Sequence, residues 1–386
     1  MSFDLSEDQR AFQRIAKDFS LKELAPNAGE WDAKGEFPVE TIKKAGDLGF
    51  CSLYVSEEDG GMGLGRLDSS IIIEQLSAGC TSTTAFITIH NMALWMVSKF
   101  GSIELKEKWC PALCSGQKLA SYCLTEPGSG SDAASLKTTA VKKGDNYVLN
   151  GSKSFISGAG ETNCLVLMAR TGKEGPGGIS CFLLPADLKG IEYGKKENKM
   201  GWRNQPTRVI SLSDVEIPAS FLIGEEGQGF MIAMQGLDGG RINIATCSIG
   251  TAQAALEAAQ KYMNEREQFG KKLSDFQALQ FKLADMTTEL VAARHFVRLA
   301  ASKIDSEHSE ATVYSAMAKR FATDVGFNVC NEALQIFGGY GYLQEFPLER
   351  YVRDVRVHQI LEGTNEIMRM IIGRRMLMEG ATEIIQ

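Results

Sequence analysis

Histidine, basic charge excess and regular cysteine pairs are all scarce in this chain of 386 residues. Its four histidines, at 90, 295, 308 and 358, are widely spread, so they offer no clustered ligands for a metal ion. Acidic residues outnumber basic residues by 48 to 41, and the formal charge of −7 leaves no basic surplus for nucleic acid or an anionic membrane. We expect neither a metal site nor a nucleic-acid partner.

Unbroken hydrophobic runs are also missing. The most apolar stretch, "AGCTSTTAFITIHNMALWMV", is interrupted by His90, Asn91 and several hydroxyl side chains, which a membrane span seldom carries together. The N-terminus, "MSFDLSEDQRAF", is acidic and has the pattern of neither a signal peptide nor an Arg-rich transit peptide. The sequence predicts no membrane insertion and a bacterial cytoplasmic location, with the mitochondrial matrix as the alternative for a processed form.

The nine cysteines follow no pairing pattern, and their odd number is typical of a reducing compartment. Cys110 and Cys114 lie close to Cys123, but the second clustered pair of a zinc site does not accompany them. We therefore expect these thiols to be small buried hydrophobic groups.

Proline is absent between Pro218 and Pro347, whereas six of the nine prolines lie between Pro111 and Pro218. Because proline disrupts helix interiors, the long gap predicts uninterrupted helices. Within the gap, apolar residues from Phe276 to Ile304 recur in alternating steps of three and four over four heptads. This pattern predicts an antiparallel helix bundle or a helical subunit contact.

The middle of the chain has the pattern of β structure. "YVLNGSKSF" places Asn150-Gly151 between two apolar segments, which predicts a hairpin turn. "NCLVLMAR", "GISCFLLP" and "TRVISLSDVEIP" are short runs rich in β-branched residues and bounded by turn residues, as strands are. The predicted organisation is multidomain α and β: a helical domain at 1–120, a β domain at 121–228 and a helical bundle domain at 229–386.

Two stretches suggest chemistry without establishing it. Glu362 follows the apolar pair Ile360-Leu361 and precedes Gly363, so it is either a solvated turn residue or a carboxylate kept dry to act as a base. "TEPGSGSDAA" contains a partial dinucleotide-binding fingerprint, but a β-rich region follows it where that fingerprint requires a helix. Alone, it predicts only a Gly/Ser-rich loop that could face a polar cofactor.

Taken together and in order, several motifs resemble the acyl-CoA dehydrogenase family from about residue 5 to residue 378. They are "YCLTEPGSGSDAASL", "NGSKSFISGAG", "GGRINIA", "REQFGKKLSDFQ", "QIFGGYGYL" and "YVRDVRVHQILEGTNEIMR". The resemblance implies a fold of N-terminal helices, a middle β-barrel-like domain and a C-terminal four-helix bundle. It also implies FAD as cofactor and a homotetramer.

The resemblance assigns site residues by position. It implies flavin contacts from Tyr122, Leu124, Thr125, Gly130, Ser131, Phe155, Ile156 and Ser157. It implies that the FAD adenylate and pyrophosphate bind, partly across a subunit boundary, to Arg266, Phe269, Phe276, Gln277, Gln335, Ile336, Phe337, Gly338 and Gly339. It places Thr364, Asn365 and Glu366 near the cofactor at a helix N-terminus. The implied contacts to the acyl-CoA substrate are Ser131, Asp238, Gly239, Gly240, Arg241 and Arg374.

The resemblance also gives Glu362 a role, as the catalytic base that removes the α proton of an acyl-CoA while hydride leaves the β carbon for the flavin. Burial against apolar neighbours would raise the pKa of such a carboxylate and strengthen it as a base. Some family members carry the base just before the arginine that corresponds to Arg241. That position is Gly240 here, so Glu362 alone matches a known base position. Electrons would then pass to an electron-transfer flavoprotein.

The expected substrate is a short branched acyl-CoA. Met92, Trp95 and Met96 would shorten the acyl pocket, although residues at this spacing are more often packing residues. Gly240 would leave room for a 2-methyl branch. We expect conversion of isobutyryl-CoA to methacrylyl-CoA, as in valine catabolism. The alternatives are butyryl-CoA or 2-methylbutyryl-CoA dehydrogenation, an acyl-CoA oxidase, and a non-catalytic flavin- or CoA-binding protein on the same scaffold.

Overall fold

The computed structural model describes residues 4–385, and the chain begins with helices. Helix α1 starts with a capping box, in which the Ser6 side chain accepts from the Gln9 N–H and Gln9 Oε1 accepts from the Ser6 N–H. Ser102 caps α6 in a similar way by accepting from the Leu105 N–H. The six N-terminal helices are α1 Glu7–Phe19, α2 Ala28–Lys34, α3 Val39–Asp47, α4 Arg66–Gly79, α5 Thr81–Phe100 and α6 Ile103–Cys114.

Helix α5 holds the most apolar stretch and is buried along most of its length. Its polar side chains are satisfied internally. Asn91 accepts from the Leu53 N–H and donates to the Phe50 carbonyl, while His90 bridges the Leu113 carbonyl and the Ala120 N–H. These bonds tie α5 to its neighbours in a protein core. No helix within residues 4–385 is both long and apolar enough to cross a membrane.

The middle domain is one eight-stranded sheet in the order β6-β7-β3-β2-β4-β5-β8, with β1 added in parallel beside β4. Buried apolar residues of these strands form one hydrophobic core, as the apolar runs in the sequence predict. The strands are β1 Ala120–Cys123, β2 Thr139–Lys143, β3 Asn146–Ser157, β4 Cys164–Arg170, β5 Ile179–Pro185, β6 Ile191–Tyr193, β7 Thr207–Pro218 and β8 Leu222–Ile223.

The predicted hairpin turn at Asn150-Gly151 is wrong. Strand β3 continues through both residues, and the turn between β2 and β3 lies at Gly144-Asp145. Asn150 instead exchanges hydrogen bonds with Asp214 on β7, and the register shifts there as a β-bulge. Gly151 has φ 150°, and a Cβ on it would lie 2.5 Å from Thr138 Oγ1, so glycine is required by close approach rather than by a turn.

The C-terminal domain is helical, as the proline gap predicts. Its helices are α7 Gly229–Glu265, α8 Gln277–Asp305, α9 Ala311–Phe337, α10 Leu348–Arg356, α11 Asn365–Met376 and α12 Ala381–Ile384. The predicted apolar stripe is confirmed, because Met286, Leu290, Ala293 and Val297 of α8 pack in the core with α7 and α9. The short strands β9 Glu267–Gln268 and β10 Lys271–Lys272 pair between α7 and α8.

Charged contacts join the N-terminal helices to the C-terminal domain. Glu74 of α4 is buried and accepts from Arg294 (2.8 Å) and Arg298 (3.4 Å) of α8. Asp305, the last residue of α8, accepts from the first backbone N–H groups of α4, at Arg66 and Leu67. The helical, β and helical order is confirmed, whereas the boundaries at 120 and 228 stay a prediction.

All nine cysteines lie in the described part of the chain, and each is a free, buried thiol. Cys110, Cys114, Cys123, Cys164 and Cys181 share the core of the middle sheet and its adjoining helices. Cys51, Cys80 and Cys247 lie in the N-terminal core, and Cys330 lies in the helical bundle. The expectation of small buried hydrophobic groups is confirmed, and burial raises the pKa of these thiols, that of Cys51 to about 12.

Candidate active site

The turn that carries Glu362 is held in an unusual conformation. The backbone leaves α10 through a 3₁₀ turn at Val357–Gln359 and then places Glu362 at φ 55° and Gly363 at φ 84°. Helix α11 begins immediately afterwards, where the Thr364 side chain accepts from the Ile367 N–H, as the sequence predicts for this helix start. A left-handed glutamate costs of order 1–3 kcal/mol, so the surroundings must hold it there.

Two buried cations hold this turn. Lys319 of α9 donates from Nζ to the Gly363 carbonyl at 2.7 Å and to Asn365 Oδ1 at 2.9 Å. Arg241 of α7 approaches the Glu362 carbonyl, with Nε 3.5 Å from the oxygen. Asn365 also donates to Asp324 Oδ1 at 2.8 Å, which ties the start of α11 to α9. The backbone of the turn is therefore fixed from two helices.

The Glu362 carboxylate is half enclosed, and its Oε2 atom is fully buried with no hydrogen-bond partner among residues 4–385. A Cβ on Gly240 would lie 2.5 Å from this oxygen and 3.2 Å from Met92 Sδ. Burial raises the pKa of Glu362 to about 7, against the opposing charges of Arg241 and Lys319. The side chain is therefore a desolvated carboxylate whose pKa lies near neutral pH, which suits a general base.

Glycines on α7 make this approach possible. Gly236 faces Met96, Gly239 faces the Arg66 guanidinium, and Gly240 faces Glu362, each within a distance that a side chain would occupy. The structure thus brings the predicted residue Gly240 against Glu362, whereas Gly239 lies against Arg66. Their neighbours Asp238 and Arg241 are paired at 2.5 Å, and Asp238 also accepts from the Thr312 hydroxyl at 2.6 Å. Burial raises the pKa of Asp238 in opposition to Arg241.

Sequence reasoning missed Lys319 and Arg66. Lys319 is completely buried in α9, and its one sequence signal is its place in a stripe of small residues. Arg66 is 6% exposed, and its guanidinium carbon lies 3.4 Å from the centroid of the Tyr54 ring. Its Nη1 atom finds no hydrogen-bond partner in the described chain. Nothing in the pattern around Arg66 indicates burial, because it is simply the first residue of α4.

The Gly/Ser-rich loop after β1 is anchored from beneath. Lys153, fully buried on β3, donates to Glu126 Oε1 at 2.7 Å and to the Leu124 carbonyl at 3.1 Å, and Glu126 also accepts from the Lys137 and Thr138 N–H groups. Only a short 3₁₀ turn follows at Ala133–Ser135, so the loop opens no βαβ unit. The anchoring holds Leu124 and Thr125 in place and leaves Gly130 and Ser131 exposed.

The second predicted flavin segment lies beside this loop. The Ser154 N–H donates to the Thr125 carbonyl at 2.8 Å, and Ser121 Oγ donates to the Ser157 carbonyl at 2.7 Å. Phe155 has φ 57° and is 70% exposed, so its ring projects outward, whereas the Ile156 side chain is buried and offers only its backbone to a ligand. Near Glu362, the Tyr122 hydroxyl is buried and lacks a partner within residues 4–385. The structure therefore brings both segments together.

The predicted pyrophosphate group forms a separate site. Arg266, Gly338 and Gly339 line a cavity of about 400 Å³ with Tyr262, Phe337 and Tyr340, and Arg266 lies 5.6 Å from the centroid of the Tyr340 ring. Phe269 and Phe276 do not line this cavity but pack edge to face with each other, their ring centroids 6.2 Å apart, and Gln277 and Gln335 are exposed. Helix α9 ends here at Phe337 and is followed by Gly338 with φ 59°.

This cavity and Glu362 lie far apart in one chain. Gly240 and Glu265 stand 25 residues apart on α7, which corresponds to roughly 37 Å at about 1.5 Å per residue. The cavity at Arg266 and the turn at Glu362 are therefore separate sites within one chain. Arg374 is exposed on α11, whereas its neighbour Arg375 pairs with Glu310 at 2.7 Å. Within residues 4–385, no three His, Cys, Asp or Glu side chains are arranged to hold a metal, and the absence of a metal stays a prediction.

Three family models match the chain: "Acyl-CoA dehydrogenase, N-terminal domain" at residues 6–117, "middle domain" at 121–215 and "C-terminal domain" at 227–377. The chain is 54% identical to "Isobutyryl-CoA dehydrogenase, mitochondrial" of Bos taurus over 378 residues, which cover 98% of this chain and 91% of the relative.

Two solved structures are close in fold. One is described as "Three-dimensional structure of butyryl-CoA dehydrogenase from Megasphaera elsdenii" (TM-score 0.94, 41% identity, 98% of this chain and 100% of that chain). The other is described as "Electron transferring flavoprotein of Acidaminococcus fermentans: Towards a mechanism of flavin-based electron bifurcation" (TM-score 0.95, 43% identity, 98% and 100%). The chain belongs to the acyl-CoA dehydrogenase family of FAD-dependent oxidoreductases.

Proposed function

We propose that this enzyme converts isobutyryl-CoA to methacrylyl-CoA, with Glu362 as the base that removes the α proton. The observation that carries the proposal is the enclosed Oε2 of Glu362 packed against Gly240, where a Cβ would lie 2.5 Å from the oxygen, because a dry carboxylate suits the removal of a weakly acidic α proton. The identity of 54% to the bovine isobutyryl-CoA dehydrogenase supports the choice of substrate.

The residues present fit FAD as the cofactor. The anchored loop, the outward Phe155 ring and the buried Tyr122 hydroxyl offer stacking and polar contacts on one side of the base turn. Arg266 beside Gly338 and Gly339 offers charge and close backbone approach to a pyrophosphate. A bound flavin supplies the two-electron acceptor for this reaction. Because the two groups of one chain lie too far apart, a second subunit would complete each site, which agrees with the expected homotetramer.

The chain's own residues then prepare the proton transfer. Oε2 of Glu362 accepts the α proton, and the raised pKa of this carboxylate makes it a stronger base than a solvated one. The Glu362 N–H donates to no acceptor in the described chain, so it is available to the thioester oxygen, where negative charge develops as the proton leaves. Arg241 and Lys319 keep the turn in the conformation that presents both groups.

Two features favour a short branched acyl group. Met92 and Met96 approach α7 at Gly240 and Gly236, which leaves little length for an acyl chain beyond the base. Gly240 presents no side chain beside the base, where a Cβ would lie 2.5 Å from the carboxylate, and this is the position that the resemblance links to a 2-methyl branch. A hydrophobic pocket distinguishes one methylene by only ~10–200-fold, so secondary activity on 2-methylbutyryl-CoA and butyryl-CoA is expected.

An electron-transfer flavoprotein is the proposed electron acceptor. The alternatives remain an oxidase, in which oxygen takes the electrons, and a non-catalytic flavin- or CoA-binding protein. Release of hydrogen peroxide in place of electron transfer would identify an oxidase. Persistence of the flavin absorbance with every acyl-CoA would identify a binding protein.

The test is an anaerobic titration of the purified flavoprotein with isobutyryl-, 2-methylbutyryl-, butyryl-, isovaleryl- and octanoyl-CoA, followed by kcat/KM for each. We expect isobutyryl-CoA to bleach the flavin and to give the highest kcat/KM. A higher kcat/KM for octanoyl- or isovaleryl-CoA would exclude the short branched assignment while leaving the dehydrogenase activity intact.

A further inference from the structure

We propose that Lys319 is a positioning residue for the base: it holds the Glu362–Gly363 turn by hydrogen bonds and keeps Glu362 in its proton-accepting form through its charge. This inference rests on the proposed role of Glu362. It does not depend on which acyl-CoA is the preferred substrate.

The geometry ties Lys319 to the turn rather than to solvent. Its side chain is 0% exposed, and Nζ donates to the Gly363 carbonyl and to Asn365 Oδ1, one on each side of Thr364. Both acceptors belong to the segment that carries the left-handed Glu362. Burying a lysine is costly because its charge is removed from water. The buried Lys319 must therefore be compensated by the interactions that it makes with this turn.

A neutral hydrogen-bond donor could also hold the Gly363 carbonyl, but it would not lower the pKa of the Glu362 carboxylate as a positive charge does. The charged and titratable groups around Glu362 come from several elements: Arg241 on α7, Lys319 on α9, Tyr122 on β1 and Tyr54 in the loop before α4. Of these, the two cations lower the pKa of Glu362, while its burial raises it. Lys319 itself faces Glu362, Arg241, Asp324, Glu366 and His358.

The sign of the effect follows from these neighbours. Burial lowers the pKa of Lys319 to about 7, and Glu362 opposes that change. A positive charge beside Glu362 favours the carboxylate over the carboxylic acid. Removing Lys319 therefore raises the proton affinity of Glu362, so a larger fraction of the base is protonated and inactive near neutral pH.

Two variants separate charge from support. Lys319→Met keeps a long unbranched side chain but removes the charge and both hydrogen bonds. Asn365→Ala removes one anchor of the same turn and leaves the charge. We expect Lys319→Met to move the acidic limb of the kcat/KM profile about one pH unit higher, with about tenfold lower kcat/KM below the limb. We expect Asn365→Ala to lower kcat without moving the limb.

A second readout does not require turnover. The carbonyl band of protonated Glu362, assigned by its loss in Glu362→Gln, is titrated by infrared difference spectroscopy in the holoenzyme and in the Lys319→Met holoenzyme. We expect the midpoint to rise in the variant. If Lys319→Met does not fold, Lys319→Gln is used, since it also lacks the charge but retains a polar head.

An unchanged or lowered midpoint in the folded variant overturns the proposal, as does an equal shift in Asn365→Ala. A wild-type protein that dehydrogenates no acyl-CoA would instead contradict the proposed function, and the infrared titration would still report on Lys319. The two failures are thereby distinguished.

Discussion

Two features of Glu362 are energetically unfavourable: its backbone is left-handed, and one carboxylate oxygen is buried without a hydrogen-bond partner in the described chain. A glycine at this position would relieve the backbone strain, and a glutamine would remove the buried charge. The combination persists because Lys319, Arg241 and the cap at Thr364 hold the turn. Strain of this kind is typical of functional residues.

Substitution Glu362→Gln tests the base directly. The amide is nearly isosteric but cannot accept the α proton, so kcat should fall by at least ~10²–10⁴-fold while flavin content and thioester affinity persist. Stopped-flow bleaching of the flavin and equilibrium binding of the acyl-CoA measure these two quantities. A variant that retains more than about a tenth of the wild-type rate contradicts the assignment.

The pH dependence of the wild-type enzyme follows from the same carboxylate. A protonated Glu362 cannot act, and its pKa is raised to about 7 by burial. Below that value kcat/KM should fall by about one decade per pH unit, and above it kcat/KM should level off. The profile is measured at constant ionic strength, with Glu362→Gln as the variant that should lose this limb. A limb near the ordinary pKa of a solvated glutamate would show that the base is not desolvated.

Substitution Arg266→Ala tests the separate cofactor group. Losing a charge-assisted hydrogen bond costs about 1.5–3 kcal/mol, so FAD should dissociate on dilution while the affinity for acyl-CoA in the remaining holoenzyme is kept. The ratio of flavin to protein absorbance after gel filtration measures this loss. Arg203→Ala, at an exposed arginine outside the predicted sites, is the control and should remain flavinated. Full flavin retention in Arg266→Ala would mean that the arginine has another role.

The local pattern around Glu362, two apolar residues before it and a glycine after it, is compatible with a solvated turn residue or a dry carboxylate, and the resemblance to the family supplied its predicted role. The burial of Lys319 and Arg66 could not be predicted, because the groups that contact them lie 44 and 173 residues away, at Gly363 and Gly239. A lysine in a helix is usually solvated, and the stripe of small residues around Lys319 does not by itself indicate that the lysine is buried.

Helix α7 shapes the site through residues that have no side chain. A Cβ at Gly240 would meet the Glu362 carboxylate at 2.5 Å, so Gly240→Ala should displace the base and narrow the pocket. We expect kcat/KM to fall for all substrates and to fall further for isobutyryl-CoA than for butyryl-CoA. Gly373→Ala, in α11, is the matched control, since a Cβ there meets no described atom within 4 Å. Equal losses on both substrates would show that Gly240 does not accommodate the branch.

The helix with a regular apolar repeat could be predicted from sequence, whereas the strand segment at Asn150-Gly151 could not, because its conformation depends on a residue distant in the chain. The α8 stripe repeats every three or four residues, so its buried face follows from the chain itself. Asn150-Gly151 has the composition of a turn, but the β7 residue that pairs with it, Asp214, is 64 residues away. That pairing converts a local turn signal into a bulge within a continuous strand.

The ion cluster between α4 and α8 joins the first and last parts of the molecule. Replacing Glu74 with glutamine preserves volume but leaves Arg294 and Arg298 without their carboxylate. Removing one partner from such a largely buried cluster should lower the free energy of unfolding by about 2–4 kcal/mol. Urea denaturation of the holoenzyme measures this. Glu30→Gln, which breaks an exposed pair with Lys34, is the control and should have little effect; equal values would mean that the cluster does not secure the docking.

At the scale of the whole molecule, the order of domains could be predicted because composition changes sharply along the chain, from helical patterns to β-branched runs and back. The relation between the predicted base and the predicted pyrophosphate site required the length of α7, in which Gly240, beside Glu362, and Glu265, next to Arg266, are 25 residues apart. Sequence motifs predict which residues take part, whereas the structure is needed to see how far apart one subunit places them.

The nine buried thiols can report local unfolding of the protein, because each becomes reactive only when its core opens. A thiol-specific alkylating reagent should label almost nothing in the native protein, because reaction requires both exposure and a thiolate. Since the cysteines are divided among three cores, mass spectrometry of partly labelled protein would distinguish which core opens first: Cys330 for the bundle, Cys51 for the N-terminal helices and Cys181 for the sheet. Local breathing could thus be followed without introducing a probe.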